Sequence, residues 1–123
     1  MGREQPFILF RDDRPKNVQA LLDLKLRRPD RLAYVAALCA DQASHCLLPD
    51  DAMAQAAGRW LWVFGILVGK PGKKQRPAYV KIQLGITNAA PVCISFHPPD
   101  HRLDFLFPSP HSTAFHHAYD AQS

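Results

Sequence analysis

Residues 60–97 read WLWVFGILVGKPGKKQRPAYVKIQLGITNAAPVCISFH and hold most of the strand-forming residues of this 123-residue chain. Residues 60–68 are apolar on both faces, which is typical of a strand that is covered on both sides. Residues 78–86 and 92–97 alternate between apolar and polar side chains, which is the pattern of a strand with one buried face. A lysine-rich segment separates the first of these strands from the second, and a shorter turn separates the second from the third. The stretch therefore predicts a three-stranded antiparallel meander.

The first residues of the chain predict a strand and a helix. The apolar run at 7–10 indicates a short strand. Pro15 suits the first turn of a helix that we expect to end near Leu24, and Asp12 and Asp13 are favourable at its positive end. The apolar face of this helix is expected to consist of Val18, Leu21 and Leu22.

Two further helices are predicted before the meander. The second helix is expected to start at Pro29, and its apolar residues recur at helical spacing: Leu32, Val35, Ala36 and Cys39. Residues 41–50 are predicted to be a loop. Residues 51–57 are rich in alanine and precede Gly58, which indicates a short helix with a glycine C-cap.

These elements predict an α+β fold, in which two N-terminal helices pack on an antiparallel sheet that carries the C-terminal meander. One domain is expected over residues 1–107, which is long enough to bury about two-thirds of its unfolded surface. Residues 108–123 are rich in proline, histidine and serine and are predicted to be a mobile tail.

The composition favours a soluble, cytoplasmic protein with an acidic partner. The net charge is +4 and the pI is near 9.2, which suits RNA, DNA or an acidic protein. Cys39, Cys46 and Cys93 lack C-x-x-C spacing and are expected to be free, mostly buried thiols. No apolar run reaches the length of a membrane span and the N-terminus lacks a secretory signal, so no membrane partner is expected.

Antiparallel pairing of the last two strands predicts a cluster of polar side chains on one face. The expected pairs are Tyr79 with His97, Lys81 with Ser95, and Gln83 with Cys93. A phenol, an ammonium and an imidazole can together transfer protons and stabilise an anion. They suit cleavage of RNA by its own 2′-hydroxyl, which needs no metal or other cofactor. Tyr79, Lys81 and His97 are the candidate catalytic residues; the alternative is that they form only a solvated sheet face.

Basic side chains near this cluster are candidate RNA-binding residues. Those of the turn are Lys70, Lys73, Lys74 and Arg76, and those near the first helix are Arg11 and Lys16. Each group has a plainer interpretation. The first could be a solvated turn, and the second a helix start with capping aspartates.

A zinc site is the rival interpretation of the cysteines and histidines. The available ligand types are Cys39, His45, Cys46, Cys93, His97 and His101. No compact pair of ligands recurs among them, and Cys39 fits a buried helix face. No metal site is therefore predicted.

Several strings in this chain resemble the MqsR family of small bacterial toxins. They are FRDDRPKN at 10–17, WVFG at 62–65, YVKIQLG at 79–85 and CISFH at 93–97, followed by Asp100-His101 and Phe107-Pro108. The resemblance covers roughly residues 7–108, in the order strand, two helices, loop and three strands.

This resemblance implies a RelE-like fold, mRNA endonuclease activity with or without the ribosome, and neutralisation by a cognate antitoxin, expected to be of the helix-turn-helix type. In the MqsR family an active tyrosine lies on the penultimate strand and matches Tyr79. A lysine that contributes there is replaced by His97, which can also act as acid or base. The leading hypothesis is a type II toxin that inhibits translation as an mRNA interferase. The alternative is a non-catalytic RNA- or protein-binding module of the same fold.

Overall fold

The computed structural model of the protein describes residues 7–48, 52–56, 58–84 and 90–122. The strands among these residues are β1 (Leu9–Phe10), β2 (Ala43–Leu47), β3 (Leu61–Val68), β4 (Arg76–Gln83) and β5 (Val92–His97). The helices are α1 (Pro15–Asp23), α2 (Arg28–Ala36), α3 (Ala52–Ala56) and α4 (Pro110–Asp120), with a 3₁₀ turn at Ala40–Gln42. The predicted α+β class is confirmed.

The strands of the described residues form one mixed sheet in the order β1-β5-β4-β3-β2. β3, β4 and β5 are the predicted antiparallel meander, and β2 adds an antiparallel strand beside β3. β1 runs parallel to β5, so the expectation of a purely antiparallel sheet is wrong. The strand predicted at 7–10 is also shorter, because only Leu9 and Phe10 pair with β5.

A β-bulge between Lys81 and Ile82 shifts the pairing of β4 with β5. Beyond it Ile82 lies opposite Cys93, and Gln83 lies opposite Val92 instead of Cys93 as predicted. A bulge inserts an extra residue into one strand and so changes the face to which neighbouring side chains point. Cys93 therefore lies in the core beneath the helices, and its predicted place on the polar face is wrong.

Helices α1 and α2 cover one face of the sheet, which we call the helix face. Its core joins Ala20, Leu24 and Val35 to strand residues such as Val80 and Phe96. Because these apolar side chains leave water together, they stabilise the docking of both helices on the sheet.

Helix α1 presents a different face to the sheet from the one predicted. Its buried residues are Asn17 and Ala20, whereas Leu22 is 73% exposed. The side chain of Asn17 donates to the carbonyl oxygen of Ile94 (2.8 Å) and accepts from the N–H of Phe96 (3.1 Å). β1 does not extend to this part of β5, whose backbone groups need other partners when buried. Asn17 supplies them, and the resulting orientation of α1 leaves Leu22 facing outward.

Helix α2 buries an arginine beside its apolar residues. The guanidinium of Arg31 donates to both carboxylate oxygens of Asp12 (2.8 and 2.9 Å) and lies 4.0 Å from the centre of the Phe10 ring. Asp12 is therefore engaged with α2, and α1 has no side-chain cap. The interpretation of Asp12 as a capping residue of α1 is wrong.

Helix α4 and the segment before it cover the other face of the sheet, which we call the outer face. Phe115 of α4 is fully buried and packs with Val63 of β3 and with Leu103. Gly65 permits this approach, because a Cβ there would lie 2.8 Å from the ring of Phe105. The structure thus differs from the tail predicted for residues 108–123: Pro110–Asp120 form a helix packed on the sheet.

Strand β2 lies in the segment predicted to be a loop. Ala43–Leu47 pair with β3, and His45 lies opposite Val63. The hydroxyl of Ser44 donates to the carbonyl oxygen of Asp104, which ties β2 to the segment before α4. The short helix α3 is confirmed, and Gly58 follows it with a φ of +73°. Residues 49–51 and 57 lie outside the described residues.

Candidate functional site

The outer face carries the side chains that were predicted to be catalytic. Tyr79 lies opposite His97 and Lys81 lies opposite Ser95, which confirms the predicted pairs. The rings of Tyr79 and His97 stack, with centroids 5.2 Å apart and planes 16° from parallel. We call Tyr79, Lys81, Ser95 and His97 the polar cluster. Adjacent antiparallel strands, with side chains alternating between the faces, bring its members together.

His97 is held in one tautomer at the end of β5. Its Nδ1 lies 2.8 Å from the carbonyl oxygen of Pro98, and a carbonyl oxygen can only accept, so Nδ1 carries the proton. Burial lowers the pKa of His97 below 6.5, and the charges of Lys16 and Lys81 lower it further, against the opposing effects of the Pro98 bond and of Asp100. The ring is therefore neutral at pH 7, with Nε2 free of a proton and able to accept one.

Tyr79 has the complementary protonation. Burial raises the pKa of its phenol above 10.0, and the negative charge of Asp100 raises it further. The hydroxyl therefore keeps its proton at neutral pH. A proton acceptor and a proton donor thus lie side by side on stacked rings.

Two histidines that were not predicted to be catalytic, His45 and His101, extend the polar cluster. His45 reaches the outer face because β2 pairs with β3, and Val63 opposite His45 is itself opposite Lys81 on β4. Burial lowers the pKa of His45, and the charges of His101 and Lys81 lower it further. The ring of His101 lies 6.4 Å from that of Tyr79. Sequence analysis missed His45 because it assigned this segment to a loop.

The two basic residues predicted near α1 differ in their relation to the cluster. Lys16 binds Asp100 through an Nζ–Oδ2 contact of 2.5 Å, and both charges influence the pKa of His97. Lys16 therefore lies at the edge of the polar cluster. Arg11 instead pairs with Asp13 at 2.9 Å on the surface.

The basic turn between β3 and β4 is not brought to the polar cluster. Arg76 shares the face of Ala78 and Val80, and its guanidinium donates to the carbonyl oxygen of Asp23 at the end of α1 (2.6 Å). Lys70 and Lys74 line a cavity with residues of α2 and of the turn that follows α1. Lys73 is exposed. The predicted RNA-binding side chains Lys70, Lys74 and Arg76 therefore adjoin the helix face.

The six residues of the rival zinc interpretation are dispersed. Cys93 is buried on the helix face, where burial raises its pKa to about 12, while His45 and His97 lie on the outer face. Cys39 and Cys46 are exposed, so the expectation of mostly buried thiols is wrong. Among the described residues, no three His, Cys, Asp or Glu side chains converge in a way that could hold a metal ion.

The lowered pKa of His97 predicts that acid destabilises the protein. A histidine whose pKa is below 6.5 in the folded state binds fewer protons there than in the unfolded state. Its contribution to stability is complete above pH 6.5 and is lost as pH falls through the folded-state pKa. We expect the free energy of unfolding, measured with urea, to fall between about pH 7.5 and about pH 5.

Two variants separate this effect from the other titrating groups. The His97→Asn variant should show a smaller fall than the wild type, because asparagine can keep a bond to Pro98 but does not titrate. The matched control is His117→Asn, a substitution of an exposed histidine on α4, which should keep the wild-type fall. Equal falls in His97→Asn and wild type would contradict the assignment to His97.

In the part of the chain that the structure describes, no helix is both long enough and apolar enough to cross a membrane.

A scan against protein-family models finds no matching family, and searches of curated proteins and of solved structures find no match. A functional proposal therefore depends on the geometry and chemistry of the polar cluster.

Proposed function

We propose that this protein is a metal-independent endoribonuclease, an MqsR-like toxin of a type II toxin–antitoxin system that cleaves mRNA. The observation that carries the proposal is the stacked pair of Tyr79 and His97, a protonated phenol beside a neutral imidazole, with Lys81 next to it. RNA contains its own nucleophile, so an enzyme that cleaves it needs only proton transfer, orientation and charge stabilisation. The polar cluster has groups for each of these.

The protonation states assign a role to each side chain. Nε2 of His97 accepts the proton of the 2′-hydroxyl, and the 2′-oxygen forms a bond to the adjacent phosphorus. The bond from phosphorus to the 5′-oxygen breaks, and Tyr79 donates its proton to that leaving oxygen. The ammonium of Lys81 stabilises the negative charge on the phosphorane. The products are a 2′,3′-cyclic phosphate and a free 5′-hydroxyl.

RNA binding would use basic residues at two distances from the cleaved bond. Lys16 is adjacent to the polar cluster and could take a phosphate in place of Asp100, with Arg11 further out. Lys70, Lys73, Lys74 and Arg76 would contact phosphates of nucleotides beyond the sheet edge, because three of them adjoin the helix face. We propose that a cognate antitoxin neutralises the activity, as the resemblance to MqsR implies, and that mRNA is cut free or on the ribosome.

The test is to incubate the purified protein with single-stranded RNA in EDTA and analyse the ends of the fragments. We expect cleavage that persists in EDTA and yields 2′,3′-cyclic phosphate and 5′-hydroxyl ends. An RNA with 2′-O-methyl groups should resist cleavage, because it lacks the nucleophile. Binding of RNA without cleavage, with or without ribosomes, would overturn the proposal and favour the non-catalytic binding module.

A further inference from the structure

A basic cavity of about 570 Å³ opens between the turn after α1 and the turn that joins β3 to β4. Its volume lies in the range of small-molecule binding sites. Arg76 lines it from the face of β4 opposite to Tyr79, so the cavity is separated from the polar cluster by the sheet. The chemical step proposed at the polar cluster does not involve this cavity, although the proposed RNA contacts include three cations of its lining, Lys70, Lys74 and Arg76.

The charge of the cavity is strongly one-sided. The cationic side chains that line it are Lys25, Arg27, Lys70, Lys74 and Arg76, whereas its acidic lining is Asp30. Asp30 already accepts hydrogen bonds from the backbone N–H and the guanidinium of Arg27. Within the described residues, the other four cations have no carboxylate partner. Like charges in one cleft repel each other and create a focused positive potential. A bound anion would reduce the repulsion and would be attracted by the potential.

The backbone beneath these charges is held in place. Gly69 donates its N–H to the hydroxyl of Tyr34 (2.9 Å), and its carbonyl oxygen accepts from the side chain of Gln75 (3.1 Å). Lys25 has a φ of +56°, in the left-handed region that residues other than glycine seldom adopt. The N–H of Leu26 donates to the carbonyl oxygen of Leu21 (2.8 Å) and closes the turn around Lys25. The two turns that carry the lysines are therefore fixed relative to the helices and the sheet, and Arg76 is fixed by its bond to Asp23.

The uncharged lining residues indicate which kind of group the ligand carries beside its anionic group. Leu24, Leu26 and Val68 supply apolar surface, and Tyr34 supplies an aromatic ring whose hydroxyl is already bonded. A ligand that joins a phosphate to a planar apolar group matches both parts of the cavity. Nucleotides have this combination, since the phosphate is an acceptor for lysine and arginine and the base can stack on an aromatic ring.

We propose that this cavity is a binding site for a phosphate ester of a nucleoside, either a free nucleotide or one unit of a single-stranded RNA. The phosphate is bound by Lys70, Lys74 and Arg76, and the base lies against Tyr34. This site does not depend on cleavage at Tyr79 and His97, so it holds whether or not the protein is a ribonuclease.

Calorimetric titration of the purified protein with three probes tests the site. The probes are inorganic phosphate, AMP, and a short single-stranded RNA that carries 2′-O-methyl groups and cannot be cleaved. We expect AMP or the RNA to bind more tightly than inorganic phosphate, with an affinity that falls as salt is added. Binding of AMP identifies a free nucleotide as sufficient, and binding of the RNA alone identifies a nucleic acid. Failure of both, or phosphate binding as tightly as either, would overturn the proposal.

Charge variants locate the binding. Lys74→Gln and Lys70→Gln should each weaken binding by about tenfold, because each removes a charge-assisted contact. Neither side chain forms a hydrogen bond or ion pair within the described residues, so both variants should keep the wild-type circular dichroism spectrum. Arg59→Gln is the control, because Arg59 is exposed, does not line the cavity and has no part in the proposed binding of RNA; it should weaken binding by about twofold or less. Equal losses in all three variants would show binding by diffuse charge and contradict the site.

His97→Asn separates this proposal from the ribonuclease proposal. It should keep the affinity for AMP and the uncleavable RNA while it removes cleavage. If cleavage fails in the wild type but the lysine variants still differ from Arg59→Gln, only the ribonuclease proposal is lost. Loss of affinity in His97→Asn would contradict the separation of the two sites.

Discussion

Replacing Tyr79 by phenylalanine lowers the rate of RNA cleavage by about 10² to 10⁴-fold if the phenol is the proton donor to the leaving oxygen. Phenylalanine keeps the ring that stacks on His97 and packs against the buried cluster of the outer face, so we expect the fold to be preserved and only the hydroxyl to be lost. His97→Asn should cause a loss of similar size, because asparagine has no nitrogen that can accept the proton. Single-turnover cleavage of a labelled RNA at saturating protein measures both.

The matched control for His97→Asn is His117→Asn, which removes an exposed histidine of α4 and should leave the rate within about twofold of wild type. The pH profile, measured only where urea unfolding shows that the protein is folded, provides a readout that a structural role would not change. In the wild type, the rate should fall as acid protonates Nε2 of His97, below the ordinary histidine pKa of 6.5. Full activity in both Tyr79→Phe and His97→Asn would remove the polar cluster from the mechanism and with it the proposed function.

Replacing Phe115 by alanine is expected to lower the free energy of unfolding by about 3–5 kcal/mol, the usual cost of truncating a buried phenylalanine. Phe115 is fully buried, and its ring meets that of Phe105 edge to face at 5.1 Å. The substitution removes apolar surface from the interior and leaves a cavity between α4 and the sheet. Urea unfolding followed by tryptophan fluorescence measures the change.

Phe107→Ala is the control for this substitution. Phe107 precedes α4 and is 53% exposed, so its truncation should cost less than about 1 kcal/mol. Because the polar cluster lies on the face that α4 covers, a destabilised Phe115→Ala variant should also cleave RNA more slowly near its unfolding transition. If Phe115→Ala and Phe107→Ala had equal stability, residues 108–123 would behave as the tail that their composition predicts.

The alternation of apolar and polar residues was sufficient to predict the meander and two of its three polar pairs, whereas the pair of Gln83 with Cys93 fails at the bulge. Residues 78–86 and 92–97 each repeat with a period of two, and this local property survives in any sheet that buries one face. The short connection between them left few registers, and the pairs Tyr79–His97 and Lys81–Ser95 follow from it. The sequence therefore places the three side chains that are predicted to be catalytic on one face of the sheet, as the structure does.

The segments that the sequence did not predict depend on partners far away in the chain. The burial of Asn17 in place of Leu22 follows from the carbonyl of Ile94 and the N–H of Phe96, which lie 77 and 79 residues further along. His45 joins the polar cluster only because β2 pairs with β3. No local periodicity contains these pairings, so propensity alone cannot determine them.

Helix α4 shows that composition also fails to predict contacts with distant parts of the chain. Its segment is rich in proline, histidine and serine, which is typical of a tail. Yet Nε2 of His111 donates to the carbonyl oxygen of Gly65 (2.7 Å), and Nε2 of His116 donates to that of Leu103 (2.8 Å). Since a carbonyl oxygen only accepts, both imidazoles are donors, and their polarity is satisfied inside the fold. The alternating pattern alone predicts the meander and the polar side chains Tyr79, Lys81, Ser95 and His97 that share one of its faces. The tertiary structure decided what covers that face and which cations adjoin it, because burial and hydrogen bonding between distant segments depend on the folded chain.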